Sequence, residues 1–434
     1  MKSQIQLLRP GVIFLFLISF FGVAIRCSDE CQVSNAYVYY EPFYSTPAQI
    51  KAAVAYQDPK PLQQIGKIYF KDQVLFINEI GKGMHIINNR DPKKPESIGF
   101  LNIPGNYDLA VMGNTLYADS FMDLVAFDVS NLTNIKEIAR IEKLFDHHQS
   151  LGFLVDPVKG VVTDWKKVET VTISNSCDYL IQPWGGFYHR GGVMFDASAS
   201  FSAQAAVAPN KNNSGIGGSL ARFTISNNHL YALDASFLDI VSLEHPTQPK
   251  AAKEIQLNWD VETLFPYESS LFIGARTGMY IYDLANPNQP ILTSHFRHML
   301  SCDPVVVEGN YAYVTLRNGN ACGNTQSQLQ VVDIKDLKKP QLVTSYPMVN
   351  PYGLGIDNGV LFICDGTDGL KIYDASNPTT ITANNLAHYK QINALDIIPF
   401  QKIAMMIGTD GLYQYDYSDI KNIKELSRLS ILKP

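Results

Sequence analysis

The sequence predicts an all-β fold, a seven-bladed β-propeller with one long insertion between its second and third repeats. The first observation is a recurring phrase of two β-forming residues, usually Asp, a few turn residues and often Pro; it reads IYDLANPNQP at 281–290 and IYDASNPTTI at 372–381. The second is its spacing, because strand-rich units with a period of about 40–45 residues are typical of propeller blades. The third is composition: 46% of residues are hydrophobic, and 23 Tyr and 22 Phe favour sheets.

Seven copies of the phrase set the phase of the repeats. The residues at the Asp position are Asn88, Asp128, Ser242, Asp283, Asp333, Asp374 and Asp416. Successive positions lie 40, 114, 41, 50, 41 and 42 residues apart. A single blade cannot bury both of its faces and must stack on its neighbours. The seven units, which span about residues 64–434, therefore predict one ring rather than two or three separate domains.

The unit at residues 353–384 illustrates how each blade is built. Its first strand, GLGID, is followed by Asn358 and Gly359, a pair that favours a two-residue hairpin turn. The stretches VLFICDG and LKIYD are predicted as the second and third strands, and the SNP turn leads to a fourth, outer strand. We expect the Asp that ends each third strand to accept hydrogen bonds from backbone N–H groups of that turn.

The chain before the repeats is predicted to contain a signal and a tether. Two basic residues precede an apolar run at residues 11–25, which is too short for a comfortable membrane span and fits the core of a signal peptide. Two processing outcomes remain open: cleavage beside the small residues Gly22 and Ala24, or lipid attachment at Cys27. Residues 1–27 are therefore predicted to be the signal, and residues 28–63 a tether on an exported protein of the cell envelope.

The insertion between the second and third repeats covers about residues 145–219. Three β-forming stretches at residues 152–172 are expected to add strands. Residues 184–218 are rich in Gly, Ser, Ala and Asn, a composition that favours a long mobile surface loop. In that loop Trp184, Phe187 and Tyr188 are candidates for binding a partner, and the alternative is that they cover the side of a blade.

The cysteines predict one disulfide. Export permits disulfide formation, and Cys302 and Cys322 flank one strand pair of the same repeat. They are the candidate pair, with two unpaired thiols as the alternative. Cys364 lies in the middle of a predicted strand, so we expect it to be a small buried hydrophobic residue.

The phrases IYDLANPNQP, VVDIKDLKKP and IYDASNPTTI resemble LVIVD repeats, which form β-propellers in exported bacterial and archaeal proteins. The layout of a signal, a Cys followed by acidic residues, a tether and the repeats is similar to that of LVIVD-repeat lipoproteins of the Bacteroidetes. The resemblance implies blades of about 42 residues and an envelope protein, either lipid-anchored at the outer membrane or cell surface, or free in the periplasm or secreted. It implies no catalytic or ligand-binding residues.

Polar residues beside the first strands form the candidate site. In a propeller the first strands line the central channel, and their starting ends meet at one mouth. The candidates for this mouth are Asp108, Arg222, Glu262, Asp303 and Asn393. Carboxylates from Asp108, Glu262 and Asp303 would suit a structural Ca²⁺ ion. The alternative is a water-filled channel with paired polar groups.

The remaining patterns narrow the function. A net charge of −6 argues against nucleic-acid binding. The sequence contains no nucleophile elbow and no phosphate-binding loop, so we expect no catalytic residue. Adjacent His147 and His148 would point to opposite sides of an extended chain, so we expect no metal-ligand motif. The only cofactor that we expect is the structural Ca²⁺ ion. The sequence thus predicts a monomeric, non-catalytic scaffold that binds an envelope protein or glycan and reaches the membrane only through a lipid anchor. The alternative is an envelope enzyme, a polysaccharide lyase or hydrolase, with its site at the channel mouth.

Overall fold

The computed structural model describes residues 33–147, 155–156, 158–174, 214–219, 221–298, 304–319 and 326–431. The chain divides into two compact units. Among the described residues, the smaller unit contains residues 33–43 and 165–174, and the larger unit contains the others.

The segment predicted as a tether contains regular structure. Strand β1 (Val33–Ser45) is followed by helix α1 (Pro47–Ala53) and the short strand β2 (Ala55–Gln57). A capping box begins the helix, because the Thr46 hydroxyl accepts from the Gln49 N–H while the Gln49 side chain accepts from the Thr46 N–H.

Four-stranded antiparallel sheets with consecutive strands make up the repeats. The first two sheets contain β3 (Ile65–Lys71), β4 (Val74–Glu79), β5 (Gly83–Asn88) and β6 (Glu96–Asn102), then β7 (Leu109–Met112), β8 (Thr115–Ser120), β9 (Asp123–Asp128) and β10 (Lys136–Ile141). The insertion contributes β11 (Val155–Asp156), β12 (Gly160–Ser174) and β13 (Ile216–Gly217). β2 extends the first sheet beside β6, and β13 extends it beside β3.

The same order of strands continues after the insertion. The third sheet contains β14 (Phe223–Ser226), β15 (His229–Asp234), β16 (Phe237–Ser242) and β17 (Lys250–Gln256), and the fourth contains β18 (Val261–Tyr267), β19 (Ser270–Ala275), β20 (Gly278–Asp283) and β21 (Ile291–Arg297). The fifth contains β22 (Val305–Glu308), β23 (Tyr311–Leu316), β24 (Gln328–Asp333) and β25 (Gln341–Pro347). The sixth contains β26 (Leu354–Asp357), β27 (Val360–Cys364), β28 (Leu370–Asp374) and β29 (Asn385–Tyr389), with a 3-10 turn at Ile381–Ala383, and the last contains β30 (Ala394–Phe400), β31 (Ile403–Gly408), β32 (Gly411–Asp416) and β33 (Lys424–Ser430). The predicted all-β fold of repeated four-stranded units is confirmed.

The first strands of successive sheets lie side by side. β7 lies beside β3 and β14, β18 lies beside β14 and β22, and β26 lies beside β22 and β30. β30 of the last sheet also lies beside β3 of the first. First strands such as β7 are buried along their whole length, whereas the fourth strand β17 is exposed at six of its seven residues. The first strand is therefore the inner edge of each sheet and the fourth strand the outer edge.

Apolar clusters join the faces of neighbouring sheets. One cluster packs Ile68 and Leu75 of the first sheet against Ile398 and Met405 of the last sheet. Others join the first three sheets, the third and fourth, the fourth to sixth, and the sixth and last. Because both faces of each sheet are covered, the second and third strands consist of nearly continuous apolar runs.

Turns with a shared hydrogen-bond pattern follow the third strands. The side-chain oxygen of the residue at the Asp position accepts from the N–H two residues later, at 2.8–2.9 Å for Asp128, Asp283, Asp333, Asp374 and Asp416 and at 3.3 Å for Asn88. Hydrogen bonds from Ser376 to the carboxylate hold the pKa of Asp374 below its usual value, and Asp128 and Asp416 are lowered in pKa in the same way. The predicted structural role of this recurring Asp is confirmed.

The end of the insertion differs from its prediction. Residues 216–219 are buried, and β13 pairs with β3 through Ile216 and Gly217. The N–H of Gly215 donates to the carbonyl of Val111 at 2.9 Å. The prediction of a mobile surface loop is therefore wrong for residues 214–218, because their three glycines allow close packing between strands. The extra strands predicted at residues 152–172 are confirmed by β11 and β12, which pair antiparallel with each other.

Candidate functional site

Three of the predicted channel-mouth residues lie together. Asp108 and Arg222 immediately precede β7 and β14, and Glu262 is the second residue of β18, so all three lie where first strands begin, which we call the first-strand end. The Arg222 N–H donates to the Asp108 carboxylate, and the charges of Asp108 and Glu262 both act on the Arg222 guanidinium. Asn393 precedes β30 at the same end, but within the described part of the chain no hydrogen bond of its side chain reaches the other three. Asp303 lies outside the described residues.

Asp108 connects three sheets. It is 2% exposed, and its Oδ1 accepts from the Leu109 N–H at 2.7 Å. Its Oδ2 accepts from the Lys67 ammonium of the first sheet at 2.6 Å and from the Phe223 N–H of the third sheet at 3.1 Å, in addition to the Arg222 N–H. Four donors therefore occupy this carboxylate, which leaves little capacity for a Ca²⁺ ion at Asp108.

Asp119 is a buried carboxylate that sequence reasoning missed. Its Oδ1 accepts from the Asn106 amide at 2.7 Å and from the N–H groups of Tyr107 and Asp108 at 2.8 and 2.9 Å. Burial raises the pKa of Asp119 to about 7, although these backbone hydrogen bonds act in the opposite direction. The carboxylate thus fixes the approach to β7.

Asp119 could have been found from the sequence by its position near the end of a second strand. Second strands run antiparallel to first strands, so the residues that end second strands also lie at the first-strand end. Asp119 is the fifth residue of β8, and Glu79 and Asp234 are the last residues of β4 and β15. Burial raises the pKa of Asp234 to about 6, and its Oδ2 accepts from the His147 N–H at 2.8 Å.

Other buried carboxylates serve the same purpose in later sheets. Asp365 accepts from the Asn350 N–H at 2.7 Å and from the Lys371 ammonium at 2.5 Å. Asp260 accepts from the Thr277 N–H at 3.0 Å. These carboxylates organise backbone at the first-strand end, because buried N–H groups there would otherwise lack acceptors.

Residues 214–219, which we call the inner segment, lie among the first strands. The Gly218 N–H donates to the Ile68 carbonyl at 2.8 Å. Ser219 donates to Asp396 of the last sheet through both its N–H and its hydroxyl, and its hydroxyl accepts from the Leu354 N–H of the sixth sheet at 3.0 Å. The inner segment therefore links the first, sixth and last sheets at their inner edges.

An exposed aromatic residue lies at the first-strand end. Trp259 is 69% exposed and stands two residues before β18, and the Arg276 guanidinium lies 5.8 Å from the centroid of its ring. Arg317 lies 4.1 Å from the centroid of the Tyr352 ring in a second pair of this kind. The Nε of Arg276 and the Nε and Nη2 of Arg222 are buried, and no acceptor among the described residues bonds them. The first-strand end thus combines an exposed aromatic ring with a guanidinium group beside it.

Several predicted residues lie outside the described residues and stay predictions: Cys27, Cys302, Cys322, Trp184, Phe187 and Tyr188. Cys364 is described, is fully buried, and has the pKa of its thiol raised by burial, so its predicted role as a buried hydrophobic residue is confirmed. Within the described residues, no helix has both the length and the hydrophobicity needed to cross a bilayer.

Comparison with known proteins finds LVIVD repeats in this chain, at residues 106–142 and 301–347. The matched segments contain the second and fifth sheets. No curated protein matches the sequence. Among solved structures, the chain is similar to the computationally designed Ika8 protein, with 9% identity over 87% of this chain and 92% of that one and a TM-score of 0.49. It is also similar to Hsv2 of Kluyveromyces lactis, with 10% identity over 86% of this chain and 97% of that one and a TM-score of 0.46. A third similar structure is BamB of Moraxella catarrhalis, with 5% identity over 88% of this chain and 97% of that one and a TM-score of 0.45.

Proposed function

We propose that the protein is a non-catalytic β-propeller scaffold that binds a protein segment or a glycan at its first-strand end. The observation that carries this proposal is Trp259, a large aromatic side chain left exposed beside Arg276. Exposed aromatic rings stack on sugar rings and anchor protein partners, and Trp and Arg are the residues most enriched at interface hot spots.

The carboxylates of the first-strand end support binding rather than catalysis. Hydrolases and lyases of polysaccharides need acidic or basic groups that reach the substrate. Asp108, Asp119 and Asp365 are buried and accept hydrogen bonds from backbone groups or from lysines of the protein itself. Removal of these acceptors would therefore disturb the fold before it disturbed a reaction.

The architecture of the scaffold is proposed to be a closed seven-bladed ring. The adjacency of β30 and β3, the apolar cluster between the first and last sheets, and the inner segment support closure. Deletion of the last sheet tests it: a closed ring loses cooperative unfolding, because its first and sixth sheets lose their neighbours. An open array loses only the stability of one repeat and one interface, and that result would contradict closure.

The experiment for the function is affinity capture from a solubilised envelope extract. The bait is the mature protein, compared with Trp259→Ala, Arg276→Ala and the matched control Ile291→Ala. Ile291 is 62% exposed on β21, in the sheet whose first strand begins two residues after Trp259, but it pairs with Asp283 at the opposite end. We expect one protein or glycan to be retained by wild type and the control and lost by both variants at the first-strand end. Equal capture by all baits would contradict the proposal. Turnover of a captured polysaccharide would favour the alternative function, a polysaccharide lyase or hydrolase.

Export and anchoring are further parts of the proposal. The apolar run at residues 11–25 supports export, with either cleavage near Ala24 or lipid attachment at Cys27. Mass spectrometry of the mature N-terminus distinguishes the two products, and Cys27→Ser should abolish only the lipid form. A mature chain that retains residues 1–27 would overturn export.

A further inference from the structure

Four side chains share one face of the third sheet. Asp239 of β16 is the cross-strand partner of Glu254 on β17 and of Ala232 on β15. Because side chains alternate between the two faces of a strand, Phe237 lies on the same face as Asp239, and Asp234 on the same face as Ala232. Three carboxylates and one aromatic ring therefore occupy this face.

His147 covers this face. Its imidazole stacks on Phe237, with 3.7 Å between ring centroids and 10° between planes. Its backbone N–H is held by Asp234. Its Nε2 lies 3.1 Å from Glu254 Oε2 and 3.2 Å from Asp146 Oδ1, so one nitrogen and two carboxylate oxygens converge. The ring stacking and the backbone hydrogen bond fix the direction of the imidazole without using its Nε2.

Asp239 gives an independent sign that this cluster needs a cation. Its side chain is 3% exposed, and no donor among the described residues bonds its buried Oδ2. The negative charges of Asp234, Glu254 and Asp146 all act on it. A buried carboxylate with no partner and three carboxylates nearby is unfavourable unless a positive charge is present.

We propose that Asp146, His147 and Glu254 bind one divalent cation of the zinc class, with Asp239 as a buried carboxylate beside the ligands. Mixed imidazole and carboxylate ligands are those that Zn²⁺ accepts in proteins. Bonds of 2.0–2.1 Å at tetrahedral angles place ligand atoms about 3.3–3.4 Å apart, close to the separations at His147. The sequence pattern missed the site because Glu254 lies 107 residues from His147 and joins it only through the fold. The ion would fasten the chain that leaves the second sheet to the third.

The test is calorimetric titration of the EDTA-treated full chain with Zn²⁺, with Mn²⁺ and Ca²⁺ as comparison ions. Wild type should bind one Zn²⁺ per chain, and the melting temperature should rise in its presence. His147→Gln and Glu254→Gln should abolish this binding, and Asp239→Asn should weaken it by about 10- to 100-fold. Glu244→Gln, an exposed carboxylate after β16 of the same sheet, should bind as wild type does.

Two readouts keep the result interpretable. Circular dichroism in EDTA checks that each variant folds, and Glu254 is exposed enough that its replacement leaves packing intact. In EDTA, Asp239→Asn should melt at a higher temperature than wild type, because it removes the buried charge. The proposal would be overturned if wild type did not bind Zn²⁺, or if His147→Gln and Glu254→Gln bound it as wild type does. It would also be overturned if Asp239→Asn bound Zn²⁺ with unchanged affinity, or if Ca²⁺ bound equally well with and without His147.

Discussion

The turns after the third strands and the first-strand end use polar residues in opposite ways. The turns apply one solution repeatedly: a side-chain oxygen accepts the N–H two residues later, as in Asp128 and Asp374. At the first-strand end the residue type changes from sheet to sheet, from Lys67 to Asp108 to Arg222. Repetition marks how six of the seven sheets end their third strands. Variation marks positions that join particular sheets or remain available to a ligand.

The largest expected effect of a substitution is at Asp108. Asp108→Ala removes the acceptor of the Lys67 ammonium and of three N–H groups, and leaves a largely buried cation without its partner. We expect a loss of about 3–5 kcal/mol in the free energy of unfolding, measured by denaturant titration. If the loss of stability were no larger than that caused by replacing an Asp of a turn, the distinction between the turns and the first-strand end would not hold.

The next effect tests the inner segment. Gly218→Ala would place a Cβ against the Asp396 carboxylate and the Ile68 side chain, so we expect a loss of about 1–3 kcal/mol. Gly319→Ala is the control, because nothing lies within 4 Å of its added Cβ. Equal stabilities of the two variants in thermal unfolding would mean that the inner segment does not pack between the sheets.

A smaller effect is expected at the turns. Asp374→Ala and Asp128→Ala each remove one hydrogen-bond acceptor in an exposed turn, which corresponds to about 0.5–1.5 kcal/mol. Because they lie in different sheets, the losses should add in the double variant. Strong non-additivity in denaturant titrations would show that the turns are coupled and not independent repeats.

A pH dependence is expected at Asp119. Its pKa in the folded protein is raised from 3.8 to about 7, so the folded state favours the protonated carboxyl. Its contribution to stability is therefore full below pH about 4 and is lost as the pH rises through about 7. Asp119→Asn should remove this loss of stability, so the melting temperature of the variant should rise relative to that of wild type as the pH increases from about 4 to about 7. Parallel profiles would show that burial does not govern this carboxyl.

The features that could be predicted from the sequence are those set by residues close together along the chain. The turn Asp residues, the strand order and the buried Cys364 follow from local patterns that a repeat displays several times. Asp119 and Asp234 were missed because their neighbours come from other strands and sheets. The inner segment was misread because glycine was taken as a sign of mobility, whereas Gly218 is small because Asp396 and Ile68 leave no space for a side chain.

The most direct test of the first-strand end as the binding face is photo-crosslinking at one position in the turn before β18 and at one position on β21. Benzoylphenylalanine is placed at position 259 in one chain and at position 291 in another, and each is illuminated with the envelope extract. The account predicts a defined adduct from position 259 and none from position 291. An adduct from position 291 alone, or none from position 259, would contradict it.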